Sequence, residues 1–76
     1  MKVSNVGSNM TQITTNDGTC ILFSYETPVS ACMGDGSGFV RTAKKWSSTT
    51  SRHINKWLDG ASAKEVEQAV LDHLVA

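Results

Sequence analysis

The chain has 76 residues, which is enough for a single domain (1–76) with a thin hydrophobic core. Seven basic and seven acidic residues give no net charge, which excludes a histone-like polycation and an acidic nucleic-acid mimic as bulk properties. No apolar run reaches the roughly 20 residues of a membrane span, and the polar first residues do not resemble a secretory signal. We therefore expect a folded domain located in the cytoplasm.

The first third of the chain predicts a β-hairpin. Residues 1–8 are polar and suggest either a loose arm or an edge strand, whereas the Thr-rich segment 9–15 favours a strand. Asp17-Gly18 follows that segment, and Asp-Gly between two strand-like runs is a strong signal for a tight turn with positive φ. The next strand should therefore run antiparallel to residues 9–15.

Segment 21–33 alternates between apolar and polar residues, with the apolar side chains at the odd positions. A period of two over this length favours one long strand with a single buried face, which would include Tyr25 and Val29. Pro28 would then mark a bulge or a bend. The alternative is two strands joined by a turn at residues 26–28. Because a turn need not preserve the phase of the pattern, we favour the continuous strand.

A glycine-rich loop and a third strand follow. Residues 34–38 predict a hairpin loop, and they lack the lysine that a phosphate-binding P-loop requires. The third strand covers residues 39–46, and its register is open. The core-facing set is either Phe39, Arg41 and Ala43 or Val40, Thr42 and Trp46. We favour the second set because it keeps most of the basic side chains away from the core.

The last third of the chain predicts two helices. Hydroxyl residues 47–51 supply N-caps and Gly60 supplies a stop, which places the first helix at about 49–59. Ser62 and Glu65 form a capping box, which starts a second helix at about 63–74. The apolar stripes are Ile54, Trp57 and Leu58 on the first helix and Val66, Ala69, Val70, His73 and Leu74 on the second. The predicted fold class is α+β, a three-stranded antiparallel meander covered by a C-terminal helical hairpin (β-β-β-α-α).

The basic residues are concentrated in one segment, which suggests a binding surface. Residues 41–56 contain five cations and no acid, so this segment carries +5 and the rest of the chain −5. The candidate partner- or phosphate-binding residues are Arg41, Lys44, Lys45, Arg52 and Lys56. Cations near a helix N-terminus can bind phosphate, and aromatic side chains among cations suit single-stranded nucleic acid. The alternative is a solvated surface or a contact with a protein partner.

His53 is the residue that most resembles a catalytic group. It lies near Thr50 and Ser51, and residues 50 and 53 share a helix face. No orienting acid or oxyanion hole accompanies them in the sequence. We therefore predict no catalytic residues and no enzymatic activity.

The two cysteines, Cys20 and Cys32, predict neither a metal site nor a catalytic thiol. Together with His53 and His73 they match no zinc-binding spacing, so we expect no metal and no cofactor. Both lie in strand-like segments, and we expect reduced, buried thiols rather than a disulfide.

Two stretches of the sequence resemble a known group of proteins. Residues 24–29 read SYETPV, and residues 45–58 read KWSSTTSRHINKWL. The pattern S-Y-x-T-P-V followed by S-x-T-T-x-x-H-I resembles a group of small bacteriophage-encoded proteins catalogued as a domain of unknown function. The resemblance covers residues 19–58, and no catalytic or binding residue is carried over from it.

The resemblance implies a small, non-enzymatic binding module of phage type that acts in the host cytoplasm. Its partner would be a host protein or nucleoprotein, and antiviral defence is one target of such inhibitors, as with anti-CRISPR proteins. The alternative is a nucleic-acid-binding accessory protein that uses the basic surface of residues 41–57. The oligomeric state is left open.

Overall fold

The computed structural model describes residues 2–75, and its single sheet has six strands in chain order. The strands are β1 (Lys2–Gly7), β2 (Met10–Thr14), β3 (Cys20–Ser24), β4 (Thr27–Met33), β5 (Gly38–Thr42) and β6 (Ala63–Val66). Helix α1 (Ser48–Leu58) connects β5 to β6, and helix α2 (Gln68–Leu74) follows β6. Strands β1 to β5 pair antiparallel, whereas β5 and β6 pair parallel, so the sheet is mixed.

The two helices lie on opposite faces of this sheet, so the predicted three-stranded meander with a helical hairpin on one face is wrong. In α1, Ile54 and Leu58 pack with Leu22 of β3, whereas Leu71 of α2 packs with Ile21. Because Ile21 and Leu22 are consecutive residues of one strand, their side chains point to opposite faces. The architecture therefore has three layers, in the order helix, sheet, helix.

The predicted long strand through Pro28 is also wrong, because the chain reverses direction before it. Ser24 pairs with Thr27, which leaves Tyr25 and Glu26 as a two-residue turn between β3 and β4. Tyr25 has a φ of 58° and is 53% exposed, so it does not share a buried face with the following strand. Two strands joined by a turn therefore describe this region, as in the alternative, but the turn lies at residues 25–26 and not at 26–28.

A β-bulge beside Pro28 explains why the apolar pattern was misleading. Leu22 pairs with Ser30 and Phe23 pairs with Pro28, so Val29 is an extra residue on β4. The bulge changes the phase of the strand and places Val29 in the α1 cluster. Strand β3 is central in the sheet, and both of its faces are covered. The alternation of apolar and polar residues in its sequence was therefore not evidence for a single buried face.

The second predicted helix is wrong in its first half. Residues 63–66 form β6 beside β5, and α2 begins only after Glu67, which makes no side-chain capping bond. Ser62 therefore lies before a strand and is not the helix cap. The buried residue of α2 is Leu71, whereas Val70 is 46% exposed. The open edge of β5 overrides the helix propensity of residues 63–66.

Strand β5 is shorter than predicted, and both of its faces are covered. Thr42 is buried and Val40 packs against the α2 cluster, as the favoured register requires. Phe39 packs against the α1 cluster on the other face, which the favoured register did not include. Trp46 lies beyond the strand and is exposed, so its predicted core position is wrong.

Other local predictions are confirmed. Asp17-Gly18 lies between β2 and β3 and Gly18 has a φ of 89°, but the pairing of Thr14 with Cys20 leaves residues 15–19 as a loop that is longer than the predicted tight turn. The 34–37 segment connects β4 to β5. Helix α1 begins and ends within one residue of its prediction. Of the two interpretations of residues 1–8, the edge strand is confirmed for 2–7, and Met1 lies outside the described residues.

Two loops at one end of the sheet are closely packed through Gly34. A Cβ on Gly34 would lie 2.8 Å from the Thr19 nitrogen, so a side chain does not fit.

The carboxylates of both loops accept local hydrogen bonds. The Thr15 hydroxyl and the Thr19 N–H donate to the Asp17 carboxylate and lower its pKa. In the neighbouring loop, the hydroxyl and N–H of Ser37 lower the pKa of Asp35 in the same way.

Candidate partner-binding surface

Helix α1 turns two cations outward. Its buried residues are Thr50, Ile54 and Leu58, which recur every four residues along one side of the helix. Arg52 and Lys56 are exposed on the opposite side and are one helical turn apart. The first turn of α1 contains no acidic residue. The structure therefore places these two predicted residues side by side on the solvent face.

The connection from β5 to α1 presents two further cations beside a fixed aromatic ring. Lys44 and Lys45 are exposed, and the Lys44 ammonium lies 4.1 Å from the centroid of the Trp46 ring. The Trp46 indole N–H donates to the Gln68 side-chain oxygen of α2 at 3.1 Å. The ring is therefore held in a defined position at the surface, where 42% of Trp46 is exposed.

Arg41 differs from the other four predicted residues because it is half-buried. It lies on β5 beneath α1, where its Nη1 donates to the Asn55 side-chain oxygen at 3.2 Å. Its Nε is buried and has no hydrogen-bond partner among the described residues. In the parallel register, Arg41 lies opposite Glu65 of β6. We therefore define the cationic surface as Arg52 and Lys56 of α1 together with Lys44 and Lys45 of the connection that precedes this helix in the chain.

His53 has a partner that sequence reasoning missed. Its Nδ1 lies 2.7 Å from the Ser24 hydroxyl, which lies 3.0 Å from the Thr50 hydroxyl. The Thr50 N–H in turn donates to the Ser47 side chain, which caps α1. Ser24 is only 2% exposed, so this hydroxyl is enclosed between β3 and α1. The arrangement joins the start of α1 to the sheet, and no local pattern in the sequence relates residues 24 and 53.

The β3–β4 turn holds Tyr25 at the surface in a strained conformation. The Tyr25 and His53 rings are tilted by 46°, with their centroids 5.8 Å apart. A positive φ at a bulky residue costs about 1 kcal/mol or more. Beside the ring lies an open concavity of about 590 Å³, lined by Asn9, Thr11, Tyr25, Glu26 and Thr27. This concavity offers polar groups and one carboxylate, and it lies outside the cationic surface.

The described residues, 2–75, contain neither a group of metal-binding side chains nor a membrane-spanning helix. No three His, Cys, Asp or Glu side chains in that range are grouped so that they could hold a metal ion. Neither described helix is both long and apolar enough to cross a lipid bilayer.

Comparison with known proteins places the chain in a family. A family model described as "Family of unknown function (DUF8033)" matches residues 1–73, and the chain therefore belongs to this family. Searches of curated proteins and of solved structures gave no match.

Proposed function

We propose that this member of the DUF8033 family is a non-enzymatic binding module that contacts its partner through the cationic surface. The observation that carries the proposal is the outward placement of Arg52 and Lys56 on α1, which follows in the chain a loop with two further exposed cations. Exposed charges contribute little to the stability of a fold. The cationic surface is thus available for a partner that is acidic where it meets α1.

The partner we favour is a host protein or nucleoprotein, and the role is that of a phage-type accessory protein or inhibitor. The support for this context is the resemblance of residues 19–58 to small bacteriophage proteins. Inhibition of antiviral defence, as by anti-CRISPR proteins, is one form that such a role takes. An acidic protein surface would be attracted by electrostatic complementarity, which mainly raises the association rate and the specificity.

The geometry of the Ser24–His53 contact supports a catalytic role less well than a structural one. A nucleophile must reach its substrate, and the Ser24 hydroxyl is enclosed beneath α1. It also shares its hydrogen bonds with Thr50, which belongs to the helix start. We therefore assign the Ser24–His53 contact to the fold.

A charge-reversal experiment tests the proposal. The double variant Arg52→Glu/Lys56→Glu removes half of the cationic surface, and the matched control Lys2→Glu/Lys64→Glu makes the same charge change elsewhere on the exposed surface. Each protein is immobilised and exposed to host lysate, with and without nuclease. We expect capture of one partner by the wild type and the control, loss of capture by the Arg52/Lys56 variant, and unchanged melting of both variants. Equal capture by all three proteins would contradict the proposal.

Nucleic-acid binding is the second candidate, and the contact between Lys44 and Trp46 is the observation that favours it. A fixed, partly exposed indole beside cations can stack on a base while the cations meet phosphates. Fluorescence anisotropy with a labelled single strand at several salt concentrations tests this. If two to four cations contact phosphates, the slope of log K against log salt should lie between about −1.4 and −2.8. A nuclease-resistant partner and no detectable affinity for the oligonucleotide would favour the protein target.

A further inference from the structure

The two cysteines lie directly opposite each other on neighbouring strands. In the antiparallel pairing of β3 with β4, Cys20 is the register partner of Cys32. The bulge at Val29 determines this pairing. Without the extra residue, the register set by the turn would place Cys20 opposite Ala31. The bulge therefore places the Cys20 thiol beside the Cys32 thiol, although one lies at the start of β3 and the other near the end of β4.

The backbone geometry of this pair is within reach of a disulfide. Directly opposed residues of antiparallel strands share a face, with Cα atoms about 4.5–5.5 Å apart and Cβ atoms about 4.5–5.5 Å apart. A disulfide takes Cα separations of about 4.4–6.8 Å and Cβ separations of about 3.5–4.5 Å. Closing the bond thus requires the Cβ atoms to approach by roughly 1 Å or less, with rotation about χ1.

Both thiols are free to make this movement and can be reached by a small oxidant. The two cysteines are unpaired and half-buried. The Cys20 sulfur lies 3.7 Å from the Thr14 hydroxyl and 3.9 Å from the Gly18 carbonyl oxygen. Thiols are weak hydrogen-bonding groups, so turning away from these neighbours costs little.

We propose that Cys20 and Cys32 are an oxidisable thiol pair whose co-substrate is a low-molecular-weight disulfide such as glutathione disulfide. The thiolate of one cysteine attacks a sulfur of the oxidant, forms a mixed disulfide and releases one glutathione thiolate. The thiolate of the other cysteine then attacks the protein sulfur of the mixed disulfide and releases the second glutathione. Two protein thiols are oxidised and one disulfide is reduced, so atoms and electrons balance.

The bond would close the β3–β4 hairpin, which includes the Tyr25 turn, the bulge and Ser24. Because the two strands are already neighbours in the folded protein, the bond changes the folded state little and mainly restricts the unfolded chain. For a loop of this length we expect the melting temperature to rise by about 10 °C or more. This proposal is independent of the cationic surface, and loss of partner binding would leave it unaffected.

Treating the native, reduced protein with glutathione disulfide tests the proposal. We expect a monomer whose intact mass falls by two hydrogen atoms, with no thiol left to alkylate. After unfolding, a glutamate-specific protease cuts at Glu26, which is the only acid between the two cysteines. The two cysteine peptides should then stay linked until a reductant is added. The melting temperature of the oxidised monomer should be higher than that of the reduced protein.

The single variants Cys20→Ser and Cys32→Ser are the matched controls. Each should carry one glutathione or dimerise through its remaining thiol, and neither should gain stability on treatment. A wild-type protein that keeps two alkylatable thiols, carries two glutathiones or forms linked dimers would overturn the proposal. An internal bond without a rise in melting temperature would overturn the assigned geometry, because the bond would then strain the folded sheet.

Discussion

The two helices cover opposite faces of one sheet, but they are held in different ways. Helix α1 has eleven residues, buries three of them and is capped by the Ser47 side chain. Helix α2 has seven residues, buries only Leu71 and has no side-chain cap. The free energy that holds α1 is therefore shared among several buried residues, whereas α2 has one fully buried leucine with the half-buried Leu74 packed beside it.

Polar contacts extend this difference between the helices. Helix α1 is joined to β3 by the enclosed hydrogen bonds of Ser24 with Thr50 and His53. Helix α2 has Gln68, whose side-chain nitrogen donates to the Pro28 carbonyl oxygen at 2.7 Å. That bond lies at the first residue of the helix. Helix α2 is therefore held to the sheet by Leu71 together with this bond from its first residue.

The largest effect should come from removing the anchor of α2. Leu71→Ala deletes a fully buried side chain and should lower the free energy of unfolding by about 2–5 kcal/mol, a large part of the total for a small domain. Val70→Ala, on the exposed side of the same helix, should change it by less than about 0.5 kcal/mol. Urea denaturation measures both variants. Similar losses in the two variants would mean that α2 is not held mainly by Leu71.

The next effect should come from the enclosed hydroxyl beneath α1. Ser24→Ala removes the partner of the His53 Nδ1 and one of the two hydroxyl partners of Thr50, which keeps its contact with Ser47. It should cost about 1–3 kcal/mol. Ser51→Ala, at an exposed position of α1, is the control and should have little effect. Hydrogen exchange should show faster exchange in the first turns of α1, with α2 unchanged. Equal acceleration in both helices would contradict a local role for Ser24.

A smaller effect should distinguish the two helix starts. Ser47→Ala removes the side chain that accepts from the Thr50 N–H, and should cost about 1 kcal/mol. Glu67→Ala removes a residue that makes no capping bond and should change stability by less than about 0.5 kcal/mol. Thermal melts of the two variants measure the difference. A loss at Glu67 as large as that at Ser47 would mean that α2 also depends on its start.

The smallest effect should come from lowering the pH. It should act on the two loops that contain Asp17 and Asp35 and leave the contacts of the helices unchanged. Folding lowers the pKa of Asp17 and Asp35, so the stabilisation is present above the unfolded pKa of about 4 and is lost as the pH falls through the folded pKa. When the pH is lowered from about 4, the double variant Asp17→Asn/Asp35→Asn should therefore lose less stability than the wild type. Both groups are exposed, so the difference should be small. Melting curves across this range measure it, and parallel curves would contradict the prediction.

Local signals in the sequence predicted the parts of the fold that local chemistry determines. Asp17-Gly18 indicated its turn because glycine accepts positive φ at little cost. The turn at Tyr25 gave no such signal, since a tyrosine rarely occupies positive φ. Strand β6 was missed because its partner, β5, lies on the far side of α1 in the sequence. A capping box followed by helix-forming residues cannot indicate a strand edge elsewhere in the chain.

The candidate site was also predictable only where it depends on residues that are close together in the sequence. The spacing of Arg52 and Lys56 was enough to place them together once the helix was identified. Arg41 is half-buried on β5 beneath α1, where Asn55 accepts from its Nη1, and this contact between two elements has no local signal in the sequence. The pairing of the cysteines depends on the bulge at Val29. Pro28 indicated a bulge or a bend at this point, but the sequence did not show which strand pairs across it. Contacts across layers and between strands therefore required the structure.

The order of the strands has a consequence for the folding pathway. From β1 to β5 each strand pairs with its neighbour in the chain, so each step closes a short loop. Pairing of β6 with β5 must wait until the whole of α1 has been brought across the sheet, which has a larger entropic cost. We therefore expect the antiparallel hairpins to form the folding nucleus and β6 to join after the transition state. Substitutions that destabilise β6 would then raise the unfolding rate without lowering the folding rate.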